Sequence, residues 1–256
     1  MGINKLNFYN NFSSKQLKIA HRGYCGVRPE NTFCAFENSI GKCDFIELDI
    51  QVTKDNELVV FHDETLKRTT DIETNKEFAF NGSYNLCDYR LEELCMLDVG
   101  SWFDTQYTNQ RILTLKDVLV FCERNNIALN IELKDCSNIN DEAYIKKLID
   151  VIQSTNMTIP LLISSFNDNY LKLLKKEMPT MDIALNIESN LPIKLVSFLK
   201  ELNVCAVHIS KDLVNDISIE DLKKNNIMLS VFTVNDTLSK INLYQQGVDA
   251  IFTNYP

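Results

Sequence analysis

The chain of 256 residues is 45% hydrophobic and 24% charged, the balance of a globular protein able to bury a large core. Its formal net charge of −9 excludes nucleic acid as a general partner, because duplex binding draws most of its affinity from Lys and Arg neutralising phosphates. A single small anion, held by one or two basic groups and a cation, is not excluded.

The leading stretch lacks the continuous apolar segment of a signal peptide. No apolar run is long enough to cross a bilayer as a helix, so a cytoplasmic protein without stable membrane insertion is expected. The eight cysteines include no Cys-x-x-Cys pair, which argues against zinc and predicts reduced, mostly buried thiols.

Short β-branched runs alternate with longer amphipathic stretches, the pattern of repeated βα units. Strands are expected over 18–22, 45–52, 127–134, 160–165, 181–187, 204–209, 227–234 and 250–253. Helices are expected over 32–41, 115–125, 141–154, 168–177, 192–201, 219–224 and 236–246, with Gly247 as a C-cap for the last. Eight strands alternating with helices predict one domain over residues 1–256, an α/β fold of the (β/α)8 TIM-barrel type. An open doubly wound sheet would need a glycine-rich phosphate turn after its first strand, and no G-x-G-x-x-G occurs among the seven glycines. The interval 53–114 is too long for an ordinary βα loop and reads as an ordered insertion after the second strand, on the face where barrel active sites form.

The chemistry concentrates at strand ends. In Phe45-Ile46-Glu47-Leu48-Asp49-Ile50 the side chains alternate, so Glu47 and Asp49 share one face and the aliphatic residues the other. The next barrel strand repeats the device, with Asn130, Glu132 and Lys134 on one face and Ile131 and Leu133 opposite. Three carboxylates converging on a barrel mouth form an oxygen-rich cage for a hard divalent cation, Ca²⁺ or Mg²⁺. Without a cation, like charges this close repel or force one to protonate.

His21 ends the first strand and falls beside this cage; by itself it also reads as a hydrogen-bonded core residue. Arg22 offers a planar fork for a phosphate or a surface pairing, and Gly23 offers a turn close to a ligand. Either Asn31 or Thr32 reads as a helix cap, and His62 adjoins Asp63 in sequence. Two histidines near a cation suit general acid and base chemistry. His208 reads as a packing or hydrogen-bonding residue. Trp102 and Phe103 read either as pocket lining or as an anchor for the insertion.

Taken in order, His21-Arg22-Gly23, Pro29-Glu30-Asn31-Thr32, Glu47-x-Asp49, Thr53-Lys54-Asp55, His62-Asp63-x-Thr65-Leu66-x-Arg68-Thr69-Thr70 and Ile131-Glu132-Leu133-Lys134 resemble the glycerophosphodiester phosphodiesterase family. So do Ser164-Ser165-Phe166, Phe232-Thr233-Val234-Asn235 and the closing segment from Gly247 to Pro256. The resemblance is collinear from Ile19 to the final residue. It implies hydrolysis of a glycerophosphodiester to sn-glycerol 3-phosphate and an alcohol, through a cyclic phosphate. It further implies one divalent cation on Glu47, Asp49 and Glu132, His21 and His62 as the acid–base pair, and Arg22 and Lys134 on phosphate oxygens. Phe232 stands where such proteins usually carry Trp, and keeps an aromatic wall of the substrate site; Asn254 stands where they carry Asp. A lysophospholipid or a glycerol-phosphate polymer is the alternative substrate, although no basic amphipathic face stands out for a membrane. A silent phosphodiester-binding barrel is the non-enzymatic alternative.

Overall fold

Alternating aliphatic and polar runs set the strands, and capped amphipathic segments set the helices, in a computed structural model that describes residues 7–78 and 82–256. In chain order the elements are β1 (Leu17–Ala20), α1 (Phe33–Ser39), β2 (Phe45–Val52), β3 (Leu58–Val60), α2 (Leu91–Leu94), β4 (Leu113–Thr114) and α3 (Leu115–Asn125). Then follow β5 (Ala128–Leu133), α4 (Asp141–Ser154), β6 (Leu161–Ser165), α5 (Asp168–Glu177), β7 (Asp182–Ile187) and α6 (Leu195–Glu201). The chain closes with β8 (Ala206–Ser210), α7 (Ile219–Lys224), β9 (Met228–Phe232), α8 (Thr237–Gln246) and β10 (Ala250–Thr253).

β1, β2 and β5 to β10 pair in parallel, and β1 bonds both β2 and β10, which closes a (β/α)8 barrel. β3 pairs antiparallel with β2, and β4 with β3, so these two form a flap outside the barrel. β3 is not among the expected strands. Three residues of strand are too few for a period to show; only the pairing of Ile50 with Val60 and Val52 with Leu58 defines the element. Within the expected insertion, Phe61, Leu66, Leu86, Leu94, Leu97 and Ile112 close a small core of their own. Positions 79–81 of that segment, and residues 1–6 of the leading stretch, lie outside the described residues.

Helix starts follow from side-chain caps: Thr114 and Asp117 form a capping box on α3, and Asn140, Asn167, Ser218 and Asp236 cap α4, α5, α7 and α8. Gly247 caps α8 in the left-handed region, as expected. Elsewhere asparagine does this work, supplying seven of the nine non-glycine residues with positive φ among the described residues, which explains how the chain manages with few glycines. α6 starts at Leu195 and not at 192, because Lys194 is left-handed and serves as its N-cap. β1 stops at Ala20, two residues short of expectation, because Arg22 and Gly23 both turn left-handed. The thiols are less buried than expected: Cys122 is buried, Cys95 is exposed and the rest are intermediate, all of them free.

Ile46, Leu48 and Ile50 face outward and pack with Val118, Leu119, Leu148 and Leu171 beneath the helices. The barrel floor is filled differently. Ala128, Ala184, Ala206 and Ala250 leave room there, and Phe8, Tyr9 and Phe45 fill it. The Tyr9 hydroxyl lies 3.3 Å from His208 Nε2 and 3.2 Å from Ser230 Oγ. His208 is therefore a core residue, its ring edge-on to Phe252 at 4.9 Å, as the sequence reading expected.

Burial lowers the His208 pKa to about 3, so below pH 6.5 the unfolded chain binds a proton there that the native chain does not. Stability rises with pH wherever the unfolded state holds more protons, so this contribution is complete above pH 6.5 and is lost as pH falls towards 3. Urea unfolding of wild type and His208→Gln between pH 6.5 and 4.5 should therefore diverge, the wild type losing up to about 1.4 kcal/mol more per pH unit. Parallel curves would remove His208 as the source.

Candidate active site

Strand register brings the acidic groups together. Asp49 pairs with Glu132, and Glu47 with Asn130, so one inward row of β2 faces one inward row of β5. Glu47 and Asp49 are each 1% exposed and Glu132 is 8% exposed. One carboxylate oxygen from each lies within 4.8 Å of the others, a spacing that a single cation can bridge.

The compensating groups are equally local. Ala20 pairs with Ile46, and two residues further the left-handed backbone at Arg22 turns its N–H to Glu47 Oε2 at 2.9 Å. Arg22 Nε lies 3.3 Å from Asp49 Oδ2, and its NH1 donates to Glu30 Oε1 at 3.0 Å. Lys134 Nζ sits 2.9 Å from Asp49 Oδ1 and is also paired with Glu132. Asn31 Nδ2 donates to Asp49 Oδ2 and Asn186 Nδ2 to Glu132 Oε2, each at 3.0 Å. Asn31 thus orients a carboxylate, while Thr32 takes the helix cap. Gly23 turns at a φ of 79°, as expected, and a Cβ there would meet Ala35 and Phe36 at 2.8–2.9 Å, so glycine also lets the turn pack on α1.

Burial, and repulsion from Asp49 and Glu132, push the Glu47 pKa well above the usual carboxylate range. Burial also raises Glu132, against the pull of Lys134. At Asp49 burial is overridden by Lys134 and Arg22, which hold its pKa far below that range. Three carboxylates face two cations, Arg22 and Lys134, and Arg22 is shared with Glu30, so acidic groups outnumber basic ones in the cluster. The all-oxygen donor set and the unrelieved repulsion at Glu47 both fit a hard cation.

His21, Arg22, Asp49, Glu132, Lys134 and Phe232 border one cavity of about 180 Å³ at the C-terminal ends of the strands. His21 Nδ1 is 2.8 Å from Asn254 Oδ1, and burial together with the Arg22 charge lowers its pKa to about 4. Phe232 stacks edge-on to Phe166 at 5.9 Å and to Phe252 at 6.2 Å. His62 borders the neighbouring cavity, of about 540 Å³, which shares Lys134 and Phe166 with the first. Its Nδ1 lies 2.6 Å from Asp63 Oδ1, so the sequence neighbours are in contact. Burial works against the Asp63 carboxylate, but His62 and Arg68 hold its pKa well below the usual range. Arg68 in turn bonds Glu30, at 2.7 and 2.9 Å, and Glu30 bonds Arg22.

Asn186 was missed from the sequence, although it stands on the inward parity of its strand and pairs with His208 in the barrel register. Glu30, Asp63 and Arg68 stand in separate motifs, and only the fold shows that these groups meet. Trp102 anchors locally through Nε1 to the Val99 carbonyl at 2.9 Å and borders neither cavity.

The sequence profile of the Glycerophosphoryl diester phosphodiesterase family matches residues 21–256. A glycerophosphodiester phosphodiesterase of Caldanaerobacter subterraneus is 34% identical over 94% of this chain and 95% of its own. One of Bacillus altitudinis is 32% identical over 93% and 94% of the two chains. A phosphodiesterase of Oleispira antarctica, solved with the product sn-glycerol 3-phosphate, superposes with a TM-score of 0.86 at 30% identity, over 98% of this chain and 96% of its own.

If the cluster is a cation site, Glu47→Gln should separate affinity from stability. Calorimetric titration with Mg²⁺ or Ca²⁺ should show binding weakened more than about a hundred-fold, beyond the loss typical of groups that only orient ligands. The same substitution should leave the cation-free protein as stable as wild type or more so, since it removes a carboxylate buried against its neighbours. An unchanged affinity would dismiss Glu47 as a ligand.

Proposed function

This chain belongs to the glycerophosphoryl diester phosphodiesterase family, and from that premise we propose that it hydrolyses a glycerophosphodiester to sn-glycerol 3-phosphate and an alcohol. The observation that carries this reading is the buried Glu47–Asp49–Glu132 cluster, flanked by a histidine in each of two adjoining cavities. The product bound to the Oleispira antarctica relative supports the glycerol phosphate half of the reaction.

We assign Glu47, Asp49 and Glu132 as the ligands of one divalent cation, Ca²⁺ or Mg²⁺. Bound there, it supplies Lewis-acid neutralisation of charge on the phosphoryl oxygens. Arg22 and Lys134 are assigned to the same oxygens, their own charges fixed in place by Asp49. The small cavity fits the glycerol moiety, with Phe232 as its wall; the larger one takes the second alcohol.

The histidines divide along the same line. Asn254 Oδ1 accepts from His21 Nδ1, which leaves Nε2 unprotonated, and the low pKa keeps the ring neutral at pH 7. His21 Nε2 then takes the proton of the glycerol 2-hydroxyl as that oxygen bonds to phosphorus. The bond from phosphorus to the second alcohol breaks, and its oxygen receives a proton from His62 Nε2, the ring being oriented by Asp63. Water opens the resulting cyclic phosphate with the two roles exchanged.

A coupled assay for glycerol 3-phosphate released from glycerophosphoethanolamine should show activity that chelator abolishes and added cation restores. His21→Ala and His62→Ala should each lower kcat by about 10²- to 10⁴-fold, with circular dichroism unchanged. Turnover that ignored chelation and survived both substitutions would sink the mechanism.

A further inference from the structure

The Asn186 amide donates to Glu132 Oε2 at 3.0 Å, while its own Oδ1 is buried without a partner among the described residues. Resting on the assignment of Glu132 as a cation ligand, we propose that a buried water site enclosed by Ser164, Asn186 and His208 fixes the orientation of that amide. Ser164 and His208 are then positioning residues for the cation site, although neither touches the cation or the substrate.

The first observation is where unpartnered atoms gather. Ser164 Oγ, His208 Nδ1 and both side-chain polar atoms of Asn130 are buried, and they too lack a partner among the described residues. Ser164 pairs with Glu132 on β5 and with Ala184 on β7, and Ala184 pairs with Ala206 on β8. Two residues further along, Asn186 pairs with His208. Register partners in parallel strands share a face, so Ser164, Asn186 and His208 point inward with Glu132. Paired residues stand about 5 Å apart, and alternate residues of one strand about 7 Å apart. The three unpartnered groups therefore surround Ala184, whose methyl is too small to fill the space between them, and Asn130 adjoins Ser164 from β5.

The second observation is that both ends of this group are anchored. His208 Nε2 lies 3.3 Å from the Tyr9 hydroxyl, which also meets Ser230 Oγ at 3.2 Å, and the His208 ring stands edge-on to Phe252 at 4.9 Å. These contacts hold the ring from the barrel floor and leave Nδ1 as the atom still to be satisfied. At the other end Asn186 Nδ2 is on Glu132. A water joining His208 Nδ1 to Asn186 Oδ1 completes a line of hydrogen bonds from Tyr9 to a ligand of the cation.

The third is the chemistry of the set. An amide oxygen only accepts, a hydroxyl both donates and accepts, and an imidazole nitrogen does one or the other. A second metal ion would meet the amide hydrogens of Asn130, whereas water donates and accepts and so satisfies a mixed set. A donor on Asn186 Oδ1 keeps Nδ2 on Glu132. Turned over, the same amide would set its carbonyl oxygen against the carboxylate and disturb the ligand.

The test uses the full chain, with Mg²⁺ or Ca²⁺ titrated calorimetrically into each variant, and a high-resolution crystal structure of the wild type. The crystal should hold ordered water within hydrogen-bond distance of Ser164 Oγ, Asn186 Oδ1 and His208 Nδ1. Asn186→Leu should weaken cation affinity by about ten- to a hundred-fold, the loss typical of a group that orients a ligand. Two amides at position 208 then separate positioning from packing. His208→Asn keeps a polar group near the place of Nδ1 and gives up the Tyr9 contact, and His208→Gln does the reverse. His208→Gln should weaken affinity by about five-fold, the worth of one hydrogen bond, and His208→Asn should keep it, although Asn leaves the larger void and the less stable protein. Ser164→Ala, which changes little volume, should also lose about five-fold and gives the same reading where a variant at 208 fails to fold. A crystal without that water, or affinities that follow stability across these variants, would overturn the positioning role while leaving the cation ligands intact. A wild type that binds neither cation would overturn the ligand assignment, and the positioning role with it.

Discussion

The constraint on which the rest of the site depends is the burial of three carboxylates within 4.8 Å of one another. Like charges in a low-dielectric setting do not stay together unassisted. The fold meets this locally with two cations, Lys134 and Arg22, that contact Asp49 directly, and with two amides, Asn31 and Asn186, that orient Asp49 and Glu132. Among the described residues Glu47 receives only a backbone N–H, and its pKa is the one pushed well above the usual range. The unmet part of the charge is therefore concentrated on one carboxylate, Glu47.

From that cluster a continuous set of charged contacts runs outward. Asp49 holds Arg22, Arg22 holds Glu30, Glu30 holds Arg68, Arg68 holds Asp63, and Asp63 orients His62. These residues come from β2, the β1–α1 turn and the segment after β3, so the inserted segment is tied to the barrel through the groups that contact the second histidine. Most links are only partly exposed, and Arg–carboxylate forks give them fixed geometry. The flap of β3 and β4 carries this arrangement by continuing the β2 pairing past the barrel mouth.

The opposite end of the barrel shows why the site can be so polar. Alanines on four strands leave space that Phe8 and Tyr9 fill from the leading stretch, so the apolar payload of the interior sits at the floor. Above it the inward positions are polar, Asn130 in register with Glu47, Ser164 with Glu132 and Asn186 with His208. The barrel's stability comes from the floor and from the aliphatic shell under the helices, which frees the strand ends to carry groups that repel.

Much of this was legible in the sequence, and for a definite reason. Period-two alternation in residues 45–52 and 127–134 determined which side chains share a face, and eight such segments alternating with helices determined a closed barrel; parity does not depend on anything distant in the chain. The amphipathic pattern likewise placed α3, α4, α5 and α7 at their observed bounds, where a side-chain cap starts each helix. What the tertiary structure alone decided is every contact between segments: that Asn31 and Asn186 serve the carboxylates, that Gly23 serves packing, that β3 extends β2, and that Gln51, Glu64 and Asp135 border one cavity. Those pairings join residues far apart in the chain, and local periodicity carries no information about which distant groups closure of the barrel will bring within 3 Å.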